Sequence, residues 1–148
     1  MPVLVQLQSW TQMKILFLCR GNVGRSVFAE HLYNKLTKSN DAISAGSKLS
    51  GPEEPLKILL PRIQSVFDAM GAEGLDASSH LRKSVTPEMV NGADVLVDMA
   101  EPETVPDFVK KHPNRIVWEI VDPKGTDYET HVRIMNQIKD KIVETFIK

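Results

Sequence analysis

The sequence predicts an α/β domain, a parallel β-sheet with helices packed on both faces, on two observations. Short unbroken apolar runs such as Ile15-Leu16-Phe17-Leu18 read as fully buried strands rather than half-exposed ones. These runs alternate along the chain with stretches of helical period, the pattern of strands joined by right-handed helical crossovers. No repeat, low-complexity tract or Gly/Ser/Pro-rich linker divides the 148 residues, so a single domain is expected over 13–148. A chain of this length buries about two thirds of its unfolded surface and needs no disulfide or metal staple.

Residues 1–12 precede a second methionine, Met13, and read as an N-terminal extension, either an edge strand or disordered. Residues 14–19 form the first expected strand. From Ser26 to about Thr37, Phe28, Leu32 and Leu36 recur every fourth residue, as one face of a helix does. Ala42–Ala45 is a short strand closed by Gly46. Residues 47–61, broken by Gly51, Pro52, Pro55 and Pro61, are expected to be irregular. Ile63, Val66, Phe67 and Met70 have helical spacing, and Gly71 and Gly74 supply a stop. Thr86-Pro87 has the form of an N-cap followed by proline at the first helical position. Val95–Val97 is a strand, Glu103–His112 a short helix, and Arg115–Ile120 a further strand running into Val121-Asp122-Pro123. Val132, Met135, Ile138, Ile142 and Phe146 stripe the last helix.

Composition removes several functional classes. Lys and Arg number 18 against 19 Asp and Glu, a net charge of −1, which argues against a broad electrostatic grip on nucleic acid or anionic lipid. No run approaches about 18 apolar residues, the length a membrane helix needs. The opening MPVLVQLQSW lacks a basic segment and a small-residue cleavage site, so no signal peptide is read and a cytoplasmic location is expected. The single cysteine, Cys19, rules out an internal disulfide or a cysteine-rich zinc site. It is either an inert buried thiol or a lone nucleophile.

In open parallel sheets, ligands bind beyond the carboxyl ends of the strands. Cys19 and Asp122 each stand at such an end, about a hundred residues apart in sequence. The segment Cys19-Arg20-Gly21-Asn22-Val23-Gly24-Arg25-Ser26 bridges a buried strand and an amphipathic helix and suits a tetrahedral oxyanion. Gly21 and Gly24 are expected to let the backbone curl so that its N–H groups converge, with the helix dipole aimed at the same point. Arg25 offers a planar fork to two phosphate oxygens, and a cysteine at the base of such a cradle is expected to be a thiolate. Ser26 is placed to hydrogen-bond that sulfur. A bare C-x5-R spacing also arises by chance, and a buried strand-end cysteine is commonly just a small hydrophobe. The nucleotide-cradle motifs G-x-x-x-x-G-K-[ST] and G-x-G-x-x-G are absent from this position.

Cys19 through Ser26, followed by Val27-Phe28-Ala29-Glu30, resembles the low-molecular-weight protein-tyrosine-phosphatase family and its arsenate-reductase relatives. The resemblance continues in order through Ser44-Ala45-Gly46, Gly74-Leu75-Asp76, His80 and Asp122-Pro123, covering essentially 13–148. It implies a four-stranded parallel sheet in a three-layer α/β/α fold, with the phosphate-binding loop, Arg20 to Ser26, between the first strand and first helix. It implies Cys19 as the nucleophile forming a cysteinyl-phosphate, and Arg25 with the loop amides as the oxyanion clamp. Asp122 would be the general acid and then base, with Pro123 restricting its backbone. Asn22 would brace the loop and His80 would be its partner. No cofactor is implied. The remaining histidines, His31, His112 and His131, lie on helices or their ends, read as solvated, and no metal site is assigned.

Three departures from the family pattern bear on substrate. Gly24 stands where many members carry a second loop cysteine, so no protective disulfide can form there. Lys124-Gly125-Thr126-Asp127 follow Asp122-Pro123 in place of aromatic residues, the first aromatic being Tyr128. Residues 47–61 contain no aromatic residue, which favours a smaller or differently shaped substrate than phosphotyrosine. The expected ligand is a phosphoprotein, a small phosphoester, or an oxyanion such as phosphate or arsenate. The main alternative is an arsenate reductase, suggested by Asp122-Pro123-Lys124-Gly125 and Glu129. With one cysteine, it would require an external thiol. A non-enzymatic alternative is a phosphate-binding pseudophosphatase. Oligomeric state is not legible.

Overall fold

The computed structural model describes residues 13–49 and 52–147, so the expected N-terminal extension, 1–12, lies outside the described residues. Strand β1, Ile15–Cys19, is buried along its whole length. It pairs in parallel with β2, Ala42–Gly46, on one side and with β3, Val95–Asp98, on the other. Strand β4, Arg115–Val117, pairs in parallel with β3, completing a four-stranded sheet of order β2-β1-β3-β4.

The unbroken apolar character of β1 follows from its two covered faces. Ile15, Phe17 and Cys19 point to one core, and Leu16 and Leu18 to the other. Helices α1 (Arg25–Thr37), α2 (Gln64–Ala72) and α5 (Tyr128–Phe146) form the first layer, in which Phe17 meets Tyr33, Trp118 and Phe146 ring to ring. Helices α3 (Pro87–Gly92) and α4 (Asp107–Lys110) form the layer opposite, around Leu16, Leu18, Leu96, Val90 and Val109. The expected three-layer α/β/α architecture is the observed one.

The α5 stripe is buried at Met135, Ile138, Ile142 and Phe146 and half-buried at Val132. Thr86 caps α3, its Oγ1 accepting from Met89 N at 3.2 Å, with Pro87 in the first turn. Gly74 stops the chain after α2 in the left-handed region, φ 74°, whereas Gly71 lies within the helix.

Four local expectations differ. Leu36 keeps the angular position of the buried α1 face yet is exposed, because it sits in the last turn, where that face is left open by the described residues. The single helix expected over 103–112 is split into a 3-10 turn, Pro102–Thr104, and α4. Pro106 lacks an N–H and holds Val105 extended, which interrupts the helix between them. The strand expected to run to Ile120 ends at Val117, and Trp118 and Ile120 instead pack into the core. Within the irregular segment 47–61, Glu54–Pro55 pairs antiparallel with Leu81–Arg82, and Leu56–Leu59 makes a 3-10 turn.

Candidate active site

Cys19 ends β1, and its Sγ lies 3.0 Å from Ser26 Oγ in the first turn of α1. Either atom could be the donor of that contact, and Ser26 has a further partner. Asn22 Nδ2 can only donate, and it donates to Ser26 Oγ (2.8 Å) and Ser44 Oγ (2.9 Å). Asn22 Oδ1 accepts from the backbone N of Lys83 at 3.1 Å, which fixes the amide orientation, and from His80 Nε2 at 3.1 Å. Accepting from Asn22 leaves the Ser26 hydroxyl its own proton, which it can give to the sulfur. Ser44 Oγ in turn donates to Glu30 Oε1 at 2.7 Å.

This network corrects one expectation about the loop. The left-handed residue between β1 and α1 is Asn22, φ 50°, not Gly21 or Gly24. Asparagine tolerates that region, and its four hydrogen bonds hold it there. Glycine is required instead at Gly46, at the end of β2. A Cβ there would come within 2.8 Å of the Arg20 carbonyl and 3.2 Å of Asn22 N, so the bare backbone lets β2 lie against the loop. Ser47 N and Lys48 N secure that approach by donating to the carbonyls of Cys19 and Arg20.

Arg25 is 3% exposed at its side chain and strongly oriented. Nη1 donates to the carbonyls of Met99 (2.7 Å) and Ile120 (3.0 Å) and to Glu101 Oε2 (3.1 Å), and Nη2 donates to Glu101 Oε1 (3.2 Å). Asp122 Oδ2 stands 3.6 Å from Nη2. Of the five guanidinium N–H groups, the one on Nε is taken by no described residue, and the Nη2 edge toward Asp122 is loosely held. These are the donors available to an oxyanion above Cys19. Burial works against both ions and is outweighed: Cys19 first, then the Glu101 hydrogen bond and Asp122, raise Arg25 above its ordinary pKa, and the Arg25 hydrogen bond holds Glu101 below the ordinary carboxylate value.

Asp122 follows the departure of the chain from β4. Its Oδ1 accepts from Lys124 N at 3.0 Å, and a turn with Gly125 at φ 79° follows. Thr126 closes the turn by donating N–H and hydroxyl to the Pro123 carbonyl. His131, expected to be solvated, is 5% exposed and lines the cleft, its Nδ1 donating to the Asp127 carbonyl at 2.8 Å. The other two histidines are also engaged. His112 Nε2 donates to Ala93 O, and His31 lies against His80. His80 itself is depressed to a pKa of about 3, by burial first and then by Lys83 and His31, so it is neutral near pH 7.

Cys19, Arg20, Gly21, Val23, Gly24, Arg25, Asp122 and Pro123 all face one cleft of about 500 Å³. The structure thus brings the sequence-selected residues together, with Asn22, Ser26 and His80 behind them. Sequence reasoning missed Glu101, although it too follows a strand end, just beyond β3, the same signal that singled out Asp122. Basic residues crowd the cleft walls: Arg20, Lys48, Arg62, Arg82 and Lys124. Arg82 is partly committed, to Glu54 and to the Gly21 carbonyl.

A parallel sheet with a cysteine at a strand end, a tight loop and a buried arginine entering a helix defines an oxyanion-handling α/β protein. A family model described as low molecular weight phosphotyrosine protein phosphatase matches residues 14–147, and the chain belongs to that family. An arsenate reductase of Brevibacillus brevis is 28% identical over 130 residues, covering 86% of this chain and 90% of the relative. A probable low molecular weight protein-tyrosine-phosphatase of Ralstonia solanacearum is 34% identical over 87 residues, 57% of this chain and 54% of the relative. Among solved structures, an arsenate reductase in its phosphate-binding state superposes with a TM-score of 0.74 at 20% identity, covering 90% of this chain and 96% of the other.

No helix among the described residues is long and apolar enough to cross a membrane.

Proposed function

We propose that the protein is a cysteine-dependent phosphomonoester hydrolase. The observation that carries this reading is the convergence of Cys19, Arg25 and Asp122 on one cleft, with the Ser26 hydroxyl 3.0 Å from the sulfur. Cys19 Sγ attacks phosphorus, forming an S–P bond as the ester P–O bond breaks, and protonated Asp122 delivers its proton to the leaving oxygen. Water then attacks phosphorus, Asp122 takes the water proton, and the S–P bond breaks to return the thiolate and release inorganic phosphate. Arg25 and the amides of Arg20, Gly21, Asn22, Val23, Gly24, Arg25 and Ser26 hold the three equatorial oxygens while charge develops. Ser26 stabilises the departing thiolate in the second step.

The cleft walls support a substrate other than a bare phenyl ring. Among the described residues no Phe, Tyr or Trp lines the cleft, and the exposed Tyr128 lies outside it. The basic rim suits a small phosphoester, or a phosphoprotein segment with acidic neighbours.

A second reading is supported by the arsenate reductases among the relatives. Cys19 would displace hydroxide from arsenate to form an S–As bond. An external small thiol would then attack that sulfur, giving a mixed disulfide and arsenite, and a second thiol would reduce the disulfide. Cys19, the single cysteine, leaves no internal route for these electrons.

One panel separates the readings: p-nitrophenyl phosphate, phenyl phosphate, phosphotyrosine and phosphoserine peptides, sugar phosphates, and arsenate with several small thiols. Hydrolysis that is abolished in Cys19→Ser, while phosphate affinity survives, is the expected result. Asp122→Asn should lose far more activity toward phenyl phosphate than toward p-nitrophenyl phosphate, and equal losses would remove Asp122 from the acid role. Strong thiol-dependent arsenate turnover with negligible hydrolysis would favour the second reading. Inertness toward every substrate would favour simple phosphate binding.

A further inference from the structure

Behind the Asn22 bracket, on the other edge of the His80 ring, three ligand atoms face one another. His80 Nδ1 lies 3.3 Å from His31 Nε2, and Glu30 Oε2 lies 3.7 Å from His31 Nε2 and 4.0 Å from His80 Nδ1. The point equidistant from the three is about 2.1 Å from each, the length of a zinc–nitrogen or zinc–carboxylate bond. A tetrahedral ion needs ligand separations of about 3.3 Å, so closing the site asks only a shift of a few tenths of an ångström from Glu30. We propose that Glu30, His31 and His80 form a binding site for a zinc-class divalent transition metal.

The surrounding hydrogen bonds already hold two of the three ligands, His80 and Glu30, in the form a metal requires. Asn22 Oδ1 is an acceptor, as its bond from Lys83 N establishes, so His80 carries its proton on Nε2 and presents a lone pair at Nδ1. A ligating histidine that donates its second N–H to a fixed oxygen is the usual outer arrangement of zinc sites. Glu30 is held in the same way: Ser44 donates to Oε1, leaving Oε2 for the ion. Without metal, His31 Nε2–H donates to His80 Nδ1. On binding, the His31 proton moves through solvent to Nδ1, and both imidazoles stay neutral. His31 is a quarter exposed at its side chain, so water reaches the fourth position. A single carboxylate, with Lys83 Nζ 3.4 Å from the Ser44 carbonyl, makes the site less negative than a closed structural zinc centre. Chelators should therefore strip it reversibly.

The site is distinct from Cys19 and does not depend on which reaction the cleft performs. Equilibrium dialysis of the full chain with zinc is expected to give one bound ion per chain, retained in Cys19→Ser. His31→Ala should weaken it at least about tenfold, and Glu30→Gln should do likewise. Cobalt(II) bound to Cys19→Ser should show tetrahedral visible bands that disappear in His31→Ala. If His31→Ala fails to fold, His31→Gln, which keeps the bulk of the side chain, takes its place. Absence of stoichiometric zinc binding would overturn the proposal. So would binding equally tight in the His31 variants, or binding lost in Cys19→Ser.

Discussion

Replacing Glu101 with alanine removes the carboxylate that meets Arg25 at 3.1 and 3.2 Å. The Met99 and Ile120 carbonyls still satisfy Nη1, so the arginine is not left unpartnered; what it loses is the lock on Nη2. Hydrogen bonds to charged groups contribute about 1.5–3 kcal/mol, and the part-exposed Glu101 belongs at the low end of that range. A loss of about 2 kcal/mol in aiming the guanidinium corresponds to roughly a 30-fold fall in kcat/KM. The fall should appear mainly in kcat, because in the proposed mechanism Arg25 acts where charge develops in the transition state. Glu101→Gln, with one acceptor left, should lie between the parent and Glu101→Ala. The assay is steady-state hydrolysis of p-nitrophenyl phosphate, with a urea melt to establish that each variant is folded. A kcat/KM for Glu101→Ala within about threefold of the parent would refute the assignment of Glu101 as a positioning residue for Arg25.

Other perturbations probe the frame around the loop. Asn22→Gly adopts φ 50° more easily but deletes the bonds to Ser26, Ser44, Lys83 and His80. Turnover should fall more than about tenfold, and unchanged turnover would show that conformation alone matters there. Gly46→Ala drives a Cβ toward the Arg20 carbonyl, so the urea midpoint should drop by the equivalent of about 1–3 kcal/mol and phosphate affinity should weaken; calorimetry and a urea melt read both. Glu101 is held below its ordinary pKa of 4.5, so its share of stability is present above that pH and fades as pH falls through the folded value. The acid limb of a stability–pH profile should therefore be shallower in Glu101→Gln, and superimposable limbs would count against the ion pair.

Much of the fold is legible along the chain because it rests on local signals. The doubly buried β1, the Thr86-Pro87 cap and the α5 stripe each come from neighbouring residues whose pattern allows one solution. Errors fall where a partner elsewhere decides. Leu36 has the right period but is left exposed by the described residues, and β4 stops at Val117 when Trp118 turns into the core. The break at Pro106 is the exception, since proline is a local signal that interrupts the helix between 103 and 112.

The same division runs through the site. From the sequence alone come Cys19, Arg25, Ser26 and Asp122, because a strand–loop–helix with C-x5-R-S carries its chemistry within eight contiguous residues and a strand end. Tertiary structure alone decides which way Arg25 points, since Glu101 and the Met99 and Ile120 carbonyls arrive from two other strand ends. It alone makes Asn22 the left-handed residue, through bonds to Ser44, Lys83 and His80 from distant segments. It also gathers Glu30, His31 and His80 within 4.0 Å, although the pair on α1 and His80 are about fifty positions apart in sequence. Hydrogen-bond direction and metal geometry depend on distances of a few ångströms between side chains, and those distances exist only after the sheet has brought its strand ends together.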